Sequence, residues 1–273
     1  MTVYSSPATP PRKALSILDL AAMKQRGEKI SCLTAYDASF SALLDKVGID
    51  VMLVGDSLGM VIQGASSTIP VTVEQMVYHC RCVSQARQRG FVIADLPFLS
   101  YATVTAAVQN AGRLMQEGGA QMIKLEGAHA EIIRFLVDFG VPVCGHLGLL
   151  PQSINQLGSY KVRGKEQPEA DKIIADAQAL EQAGISLLIL ECVPAALAKT
   201  ISLLLKIPVI GIGAGVDCDG QVLVLYDMLG ISLGKRPRFS RDFLQEAGSI
   251  EAAIAHYHHQ VKNSLFPAVE HSY

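Results

Sequence analysis

The sequence predicts an α/β chain folded as a (β/α)8 TIM barrel, on three observations. About eight short apolar runs alternate with stretches of helical periodicity, and several runs are near-continuously hydrophobic, as parallel strands buried on both faces are. Four of the runs stop on a carboxylate, at Asp56, Asp95, Glu126 and Glu191. Chemistry-bearing residues therefore end many separate strands, as barrel active sites require. A doubly wound open sheet also fits the alternation, but it would gather such residues at one switch point.

The elements follow in order. Residues 16–25 carry helical spacing and Gly27 ends them, giving a helix ahead of the barrel proper, placed to plug its bottom. A strand over 30–36 leads to a helix over 38–47, and a second strand covers 51–55. Residues 59–70, rich in Gly, Ser and Thr, form a loop, after which Thr72 caps a helix over 73–88. Glu74 stands one residue early for a capping box. The third strand is 91–94, and Thr103 caps a helix that runs to 116 and stops at Gly118-Gly119. Strand 121–125, helix 130–139 and strand 141–144 come next, the last flanked by Pro142 and Gly145. A loop over 148–168 is long enough to expect a function for it. Helix 169–183, strand 186–190, a helix from Pro194 to 205 and strand 207–212 complete seven strands. A shorter last unit starts near Val222, and a helix over 241–262 carries the C-terminus.

The 273 residues suit one barrel domain, expected over 14–273, because such barrels run to about 250 residues. Residues 1–13 are rich in Pro, Ser and Thr without an apolar core, and read as a disordered tail rather than a signal peptide. Hydrophobic residues make up 50% and charged residues 18%, and the net charge of -2 includes no long basic block. That balance argues against nucleic acid and anionic membrane as partners. No apolar run reaches transmembrane length. The six cysteines (Cys32, Cys80, Cys82, Cys144, Cys192 and Cys218) lie mostly inside apolar runs and make no Cys-x-x-Cys pair. Reduced buried thiols and a cytoplasmic location are expected. Cys80 and Cys82 point to different sides of a helix, which does not suit zinc.

Asp56, Asp95 and Glu126 end adjacent strands, which lie about 4.8 Å apart, so these acids can converge on one ion directly or through water. Oxygen ligands alone suit Mg²⁺ or another hard divalent ion. Taken singly, each acid also reads as a cap or turn brace. Lys124 shares a strand face with Glu126 and can hold a substrate carboxylate or an enolate oxygen, or simply pair with an acid. Glu191, across the ring between Leu190 and Cys192, is expected to have a raised pKa and to act as general base on a carbon-bound proton, with helix capping as the bland alternative. His146, in the turn after strand five, is either a ligand contact or a structural histidine. Gly211-x-Gly213-x-Gly215 lacks dinucleotide spacing and reads as a tight turn or close approach to a ligand. Cys192 has no neighbouring histidine to make it a nucleophile.

Several stretches carry a family resemblance. They include Leu33-Thr34-Ala35-Tyr36-Asp37, Val54-Gly55-Asp56-Ser57-Leu58-Gly59-Met60, Lys124-Leu125-Glu126-Gly127 and Gly145-His146-Leu147-Gly148. Pro151-Gln152-Ser153, Gly158-Ser159-Tyr160-Lys161-Val162-Arg163-Gly164 and Glu191-Cys192-Val193-Pro194 belong with them. Together, and in order from about Leu15 onward, the set resembles the ketopantoate hydroxymethyltransferases. The resemblance implies a barrel of the phosphoenolpyruvate/pyruvate type. It implies transfer of a hydroxymethyl group from 5,10-methylenetetrahydrofolate to 3-methyl-2-oxobutanoate, with one Mg²⁺ per subunit and a homodecamer. It assigns Asp56, Asp95 and Glu126 to the metal, Asp56, Ser57, Asp95 and Lys124 to the substrate, and Glu191 to proton removal. The family pattern often has Thr, Gly and Pro where Leu150, Ser159 and Val216 stand; these departures fall in loops. The alternative within the same superfamily is another Mg²⁺-dependent 2-oxo-acid lyase or mutase.

Overall fold

The computed structural model describes residues 13–273; the tail expected over 1–13 lies outside them, apart from Lys13. Eight parallel strands close in sequence order into one barrel. They are β1 (Ile30–Thr34), β2 (Val51–Val54), β3 (Phe91–Asp95), β4 (Met122–Glu126), β5 (Val143–Gly148), β6 (Leu187–Glu191), β7 (Val209–Ile212) and β8 (Gly220–Leu223). The fold class read from the sequence is the fold observed. Every strand residue is buried except Gly148 and Glu191, the last residues of β5 and β6. Burial on both faces is why the strands read as unbroken apolar runs.

The main helices between strands are α2 (Ala38–Val47), α4 (Val73–Ala86), α5 (Val104–Gln116), α6 (Ala130–Asp138), α8 (Gln167–Gln182) and α9 (Ala195–Leu204), with α1 (Ile17–Gln25) before β1 and α12 (Ile250–Lys262) after β8. Four-residue helices α3 (Leu58–Val61), α7 (Ile154–Leu157), α10 (Leu225–Met228) and α11 (Leu244–Ala247) sit in the connections. Ser16, Asp37, Thr72, Thr103 and Ser249 each accept a backbone N–H at the start of their helices, worth about 1 kcal/mol apiece. Thr72 does form a capping box, through Gln75 rather than Glu74, because Gln75 is the residue one turn in and its amide oxygen accepts from the Thr72 N–H.

The structure corrects four other boundaries. Strand β5 runs to Gly148, so His146 stands on a strand and not in the following turn. The 59–70 stretch begins inside α3, whose backbone bonds close before the small-residue loop starts. The long 148–168 connection contains a 3-10 turn at Pro151–Ser153 and then α7. The final helix is two helices, parted at Gly248, which takes a left-handed conformation.

Helix α1 crosses the bottom of the barrel. At its start the Leu15 N–H donates to the Arg89 carbonyl ahead of β3, 2.9 Å away. At its end Lys24 Nζ reaches Asp219 Oδ2 ahead of β8 at 2.8 Å. The barrel seam joins β1 to β8, with Cys32 opposite Val222. The Tyr257 hydroxyl of α12 lies 2.9 Å from the carbonyl oxygens of both Cys32 and Gln221, one on each side of that seam. Among the described residues no helix is long and apolar enough to cross a membrane.

Candidate active site

Asp56, Ser57, Asp95, Lys124, Glu126, His146 and Glu191 all line one cavity of about 520 Å³ at the C-terminal mouth of the barrel. The strand pleat explains the convergence. Side chains two apart share a face, so Lys124 and Glu126 both point inward from β4. Register then pairs neighbours: Asp95 lies opposite Lys124, Glu126 opposite His146, and Gly148 opposite Glu191. Gly148 has to be glycine, because it takes φ +95° and a Cβ there would sit 2.2 Å from the Glu191 carbonyl oxygen.

Lys124 Nζ donates to Asp95 Oδ1 at 2.6 Å, with both side chains buried. Burial acts against the ammonium, but Asp95, Asp56 and Glu126 around it outweigh that and hold its proton more firmly than usual. The Asp56 N–H donates to Asp95 Oδ2 at 3.1 Å. The Asp56 carboxyl is pushed well above the usual carboxylate range by burial first and then by the charge of Asp95, which Lys124 only partly offsets. Tyr36 OH and Ser57 Oγ share a hydrogen bond at 2.8 Å.

His146 bridges the floor. Its Nδ1 lies 3.5 Å from Glu126 Oε1 and its Nε2 lies 3.3 Å from Glu191 Oε2. Neither nitrogen meets the geometry of an aligned hydrogen bond. Burial and Lys124 disfavour the imidazolium, yet the two flanking carboxylates raise its pKa to about 9. A histidine therefore stands beside Glu191, where the sequence shows only its apolar chain neighbours Leu190 and Cys192. Cys192 itself adopts φ +48° directly after Glu191, a left-handed conformation that is strained for a residue with a side chain. Burial pushes its thiol pKa up, which leaves it unsuited to nucleophilic work.

Sequence reasoning missed Gln152 and Tyr101 as site residues. Gln152 Nε2 donates to Asp56 Oδ2 at 2.7 Å and to the Leu96 carbonyl at 3.0 Å. Its backbone N–H donates to Glu126 Oε2 at 3.1 Å, and its Oε1 accepts from the Tyr101 hydroxyl at 2.7 Å. One buried residue thus contacts two floor acids, Asp56 through its side-chain amide and Glu126 through its backbone N–H, and Tyr101 fixes which way round the side-chain amide sits. The only sequence signal was its place in the Pro151-Gln152-Ser153 stretch. The Gly211-x-Gly213-x-Gly215 segment starts inside β7 and turns after it, with φ +60° at Gly213 and +84° at Gly215.

Among the described residues, no three His, Cys, Asp or Glu side chains form a ready ligand cluster. Lys124 already engages Asp95 Oδ1. The floor still fits a hard cation. Four carboxylates meet one lysine and one histidine, so negative charge is left unmatched, and Asp56 carries the strain of it. Mg²⁺ needs only one or two protein carboxylates, its remaining positions being filled by water and substrate.

Comparison with known proteins places the chain. Residues 14–269 match the family described as ketopantoate hydroxymethyltransferase. The chain is 55% identical over 273 residues to the 3-methyl-2-oxobutanoate hydroxymethyltransferase of Alkalilimnicola ehrlichii, covering 99% of each chain. It is 58% identical over 261 residues to that of Nitrosococcus oceani, covering 95% of this chain and 99% of the other. In fold it is similar to 2,3-dimethylmalate lyase, a member of the PEP mutase/isocitrate lyase superfamily, with a TM-score of 0.52, 15% identity, and coverage of 71% of this chain and 70% of the other. Likeness at that identity speaks for the architecture alone, whereas similarity over the full length to the curated relatives speaks for more: this chain belongs to the ketopantoate hydroxymethyltransferase family.

Proposed function

We propose that this enzyme transfers a hydroxymethyl group from 5,10-methylenetetrahydrofolate to 3-methyl-2-oxobutanoate, giving 2-dehydropantoate and tetrahydrofolate. The observation that carries the mechanism is the division of the mouth. Asp56, Asp95, Glu126 and Lys124 form one side, and Glu191 faces the same cavity from β6.

Mg²⁺ held near Asp56, Asp95 and Glu126 would polarise the keto group and make the C3 hydrogen acidic. The protein's own groups do the rest. Lys124, locked on Asp95, offers fixed positive charge to the oxygen that gains negative charge. Ser57, steadied by Tyr36, contacts the substrate beside Asp56. Glu191 accepts the C3 proton on a carboxylate oxygen while His146 holds that carboxylate in place. The C3 carbon then bonds to the methylene carbon of the donor as that carbon's two bonds to folate nitrogens break; water supplies the hydroxyl oxygen, and tetrahydrofolate leaves with one proton from C3 and one from that water. The competing lyase or mutase readings have no support in the names of the curated relatives.

The same reading includes a homo-oligomer, a decamer by family resemblance. The exposed Phe135–Phe139 stack on α6 suits burial between copies. It also includes a cytoplasmic location, supported by six free cysteines.

The test is NMR of the protein with 3-methyl-2-oxobutanoate in D₂O, with Mg²⁺ and then with EDTA. The C3 proton signal is expected to fade with Mg²⁺ and persist with EDTA. Glu191→Gln is expected to keep substrate binding and slow the exchange by about 10²- to 10⁴-fold. Normal exchange in that variant would remove Glu191 from its role. No exchange in the wild type, even with tetrahydrofolate present, would sink the assignment.

A further inference from the structure

The cavity has two electrically opposite ends. Its floor carries the four carboxylates already described, and its rim carries Lys235 and Arg238, from the connection between α10 and α11. Among the described residues neither rim cation lies within ion-pair distance of a carboxylate, although Arg236 between them pairs with Asp242 at 3.4 Å. Asp227 also lines the rim and is bound to Ser232.

Arg238 is held in place rather than loose. Its Nε donates to the Glu270 carbonyl at 2.9 Å, and its guanidinium carbon lies 5.3 Å from the centre of the Tyr273 ring. Tyr273 is anchored in turn, because its carbonyl accepts from the Ala195 N–H at the start of α9, 2.8 Å away. Gly213 leaves room for the assembly: a Cβ there would come within 3.1 Å of both Phe239 and Tyr273. The terminal nitrogens of Arg238 and the Lys235 ammonium make no hydrogen bond to another described residue.

We infer that Lys235 and Arg238, the latter backed by Tyr273, form the docking site for the anionic tail of the one-carbon donor. The inference rests on the hydroxymethyl-transfer reading and adds an orientation to it. A methylenetetrahydrofolate carries its reactive carbon on the ring system and its carboxylates at the far, glutamyl end. Transfer requires the ring near the floor. The floor acids repel the glutamyl carboxylates, so these lie outward, where the rim supplies unpaired cations. The flat ring system then occupies the cavity between the two ends.

The experiment uses the full-length enzyme and its Lys235→Gln, Arg238→Gln and doubly substituted variants, assayed with mono- and triglutamyl 5,10-methylenetetrahydrofolate. Each single change is expected to raise the donor KM by about fivefold, with more for the double. The wild-type donor KM should rise with NaCl and the double variant's should respond far less. Preference for the triglutamyl donor should shrink in the same order, and Arg238→Lys should recover most of the salt response. The KM for the oxo acid and the donor-free C3–H exchange read the floor alone and report an intact fold. A double variant with wild-type donor KM and salt response would overturn the inference. A wild type that exchanges the C3 proton but accepts no one-carbon unit would instead sink the underlying reading, and the inference with it.

Discussion

Both ends of this barrel bury an aspartate just beside β2, and they treat it in opposite ways. Asp50, before the strand, is 1% exposed and is fully matched. Its Oδ2 accepts from the Ser31 N–H and hydroxyl at 3.0 Å and from Lys262 Nζ at 2.7 Å, and its Oδ1 accepts from Arg89 at 3.2 Å. Asp56, after the strand, is 4% exposed and receives one amide donor and no cation of its own, with Lys124 committed to Asp95. Residue type and burial are the same. What separates the two is whether the protein supplies the counter-charge itself or leaves it unmatched.

The sharpest way to probe the mouth without touching an acid is Gln152→Met, which keeps the volume and deletes the donor to Asp56. Activity is expected to fall by about 10- to 100-fold, and stability by about 1–3 kcal/mol because the Tyr101 hydroxyl and the Leu96 carbonyl lose a partner. Gln152→Glu should do worse, because it adds a further acid to an acid floor. Full activity in Gln152→Met would show that Asp56 needs no fixing.

The two aspartates can then be exchanged for asparagine and their effects on stability compared by denaturant unfolding. Asp50→Asn is expected to cost about 2–3 kcal/mol, moderated because Lys262 and Arg89 are partly solvated and can rehydrate. Asp56→Asn should instead gain about 1 kcal/mol, by relieving repulsion, and lose activity. Loss of stability in both would erase the contrast between the ends.

The smallest effect is a pH dependence at the bottom. His258 Nδ1 lies 2.8 Å from Ser31 Oγ, and its pKa is lowered. Burial is the main cause; Lys262, Arg89 and His259 add to it, and Asp50 opposes. The unfolded chain therefore takes up this proton at a higher pH than the folded one. Stability from neutral His258 is complete above the unfolded value of about 6.5 and declines as pH falls through it. Unfolding midpoints measured from pH 8 to pH 5 should fall less steeply in His258→Gln than in the wild type.

The strands were legible because parallel barrel strands are buried on both faces, and the acids were legible because they terminate those strands. Helix starts at Thr72 and Thr103 were readable from local chemistry alone. The misplaced end of β5 has a physical cause: Gly145, His146 and Gly148 look like turn residues, yet inside a barrel a polar inward side chain is compatible with a strand when acids face it. Gln152 and Tyr101 act across 96 and 25 residues of chain, on Asp56 and Glu126 respectively, and no local pattern encodes such contacts. Nor does spacing disclose that Lys124 takes up one oxygen of Asp95.

The β1–β8 seam has a consequence for synthesis. Ile30 and its partner Gly220 leave the ribosome far apart in time. At about 5–20 residues per second, the first strand waits on the order of ten to forty seconds for the last, and longer for the Tyr257 clasp. Throughout that interval β1 lacks the partner that later pairs with Ile30, Ser31, Cys32 and Leu33. The newborn chain therefore needs protection at its first strand longer than at any other, until α12 emerges and closes the ring.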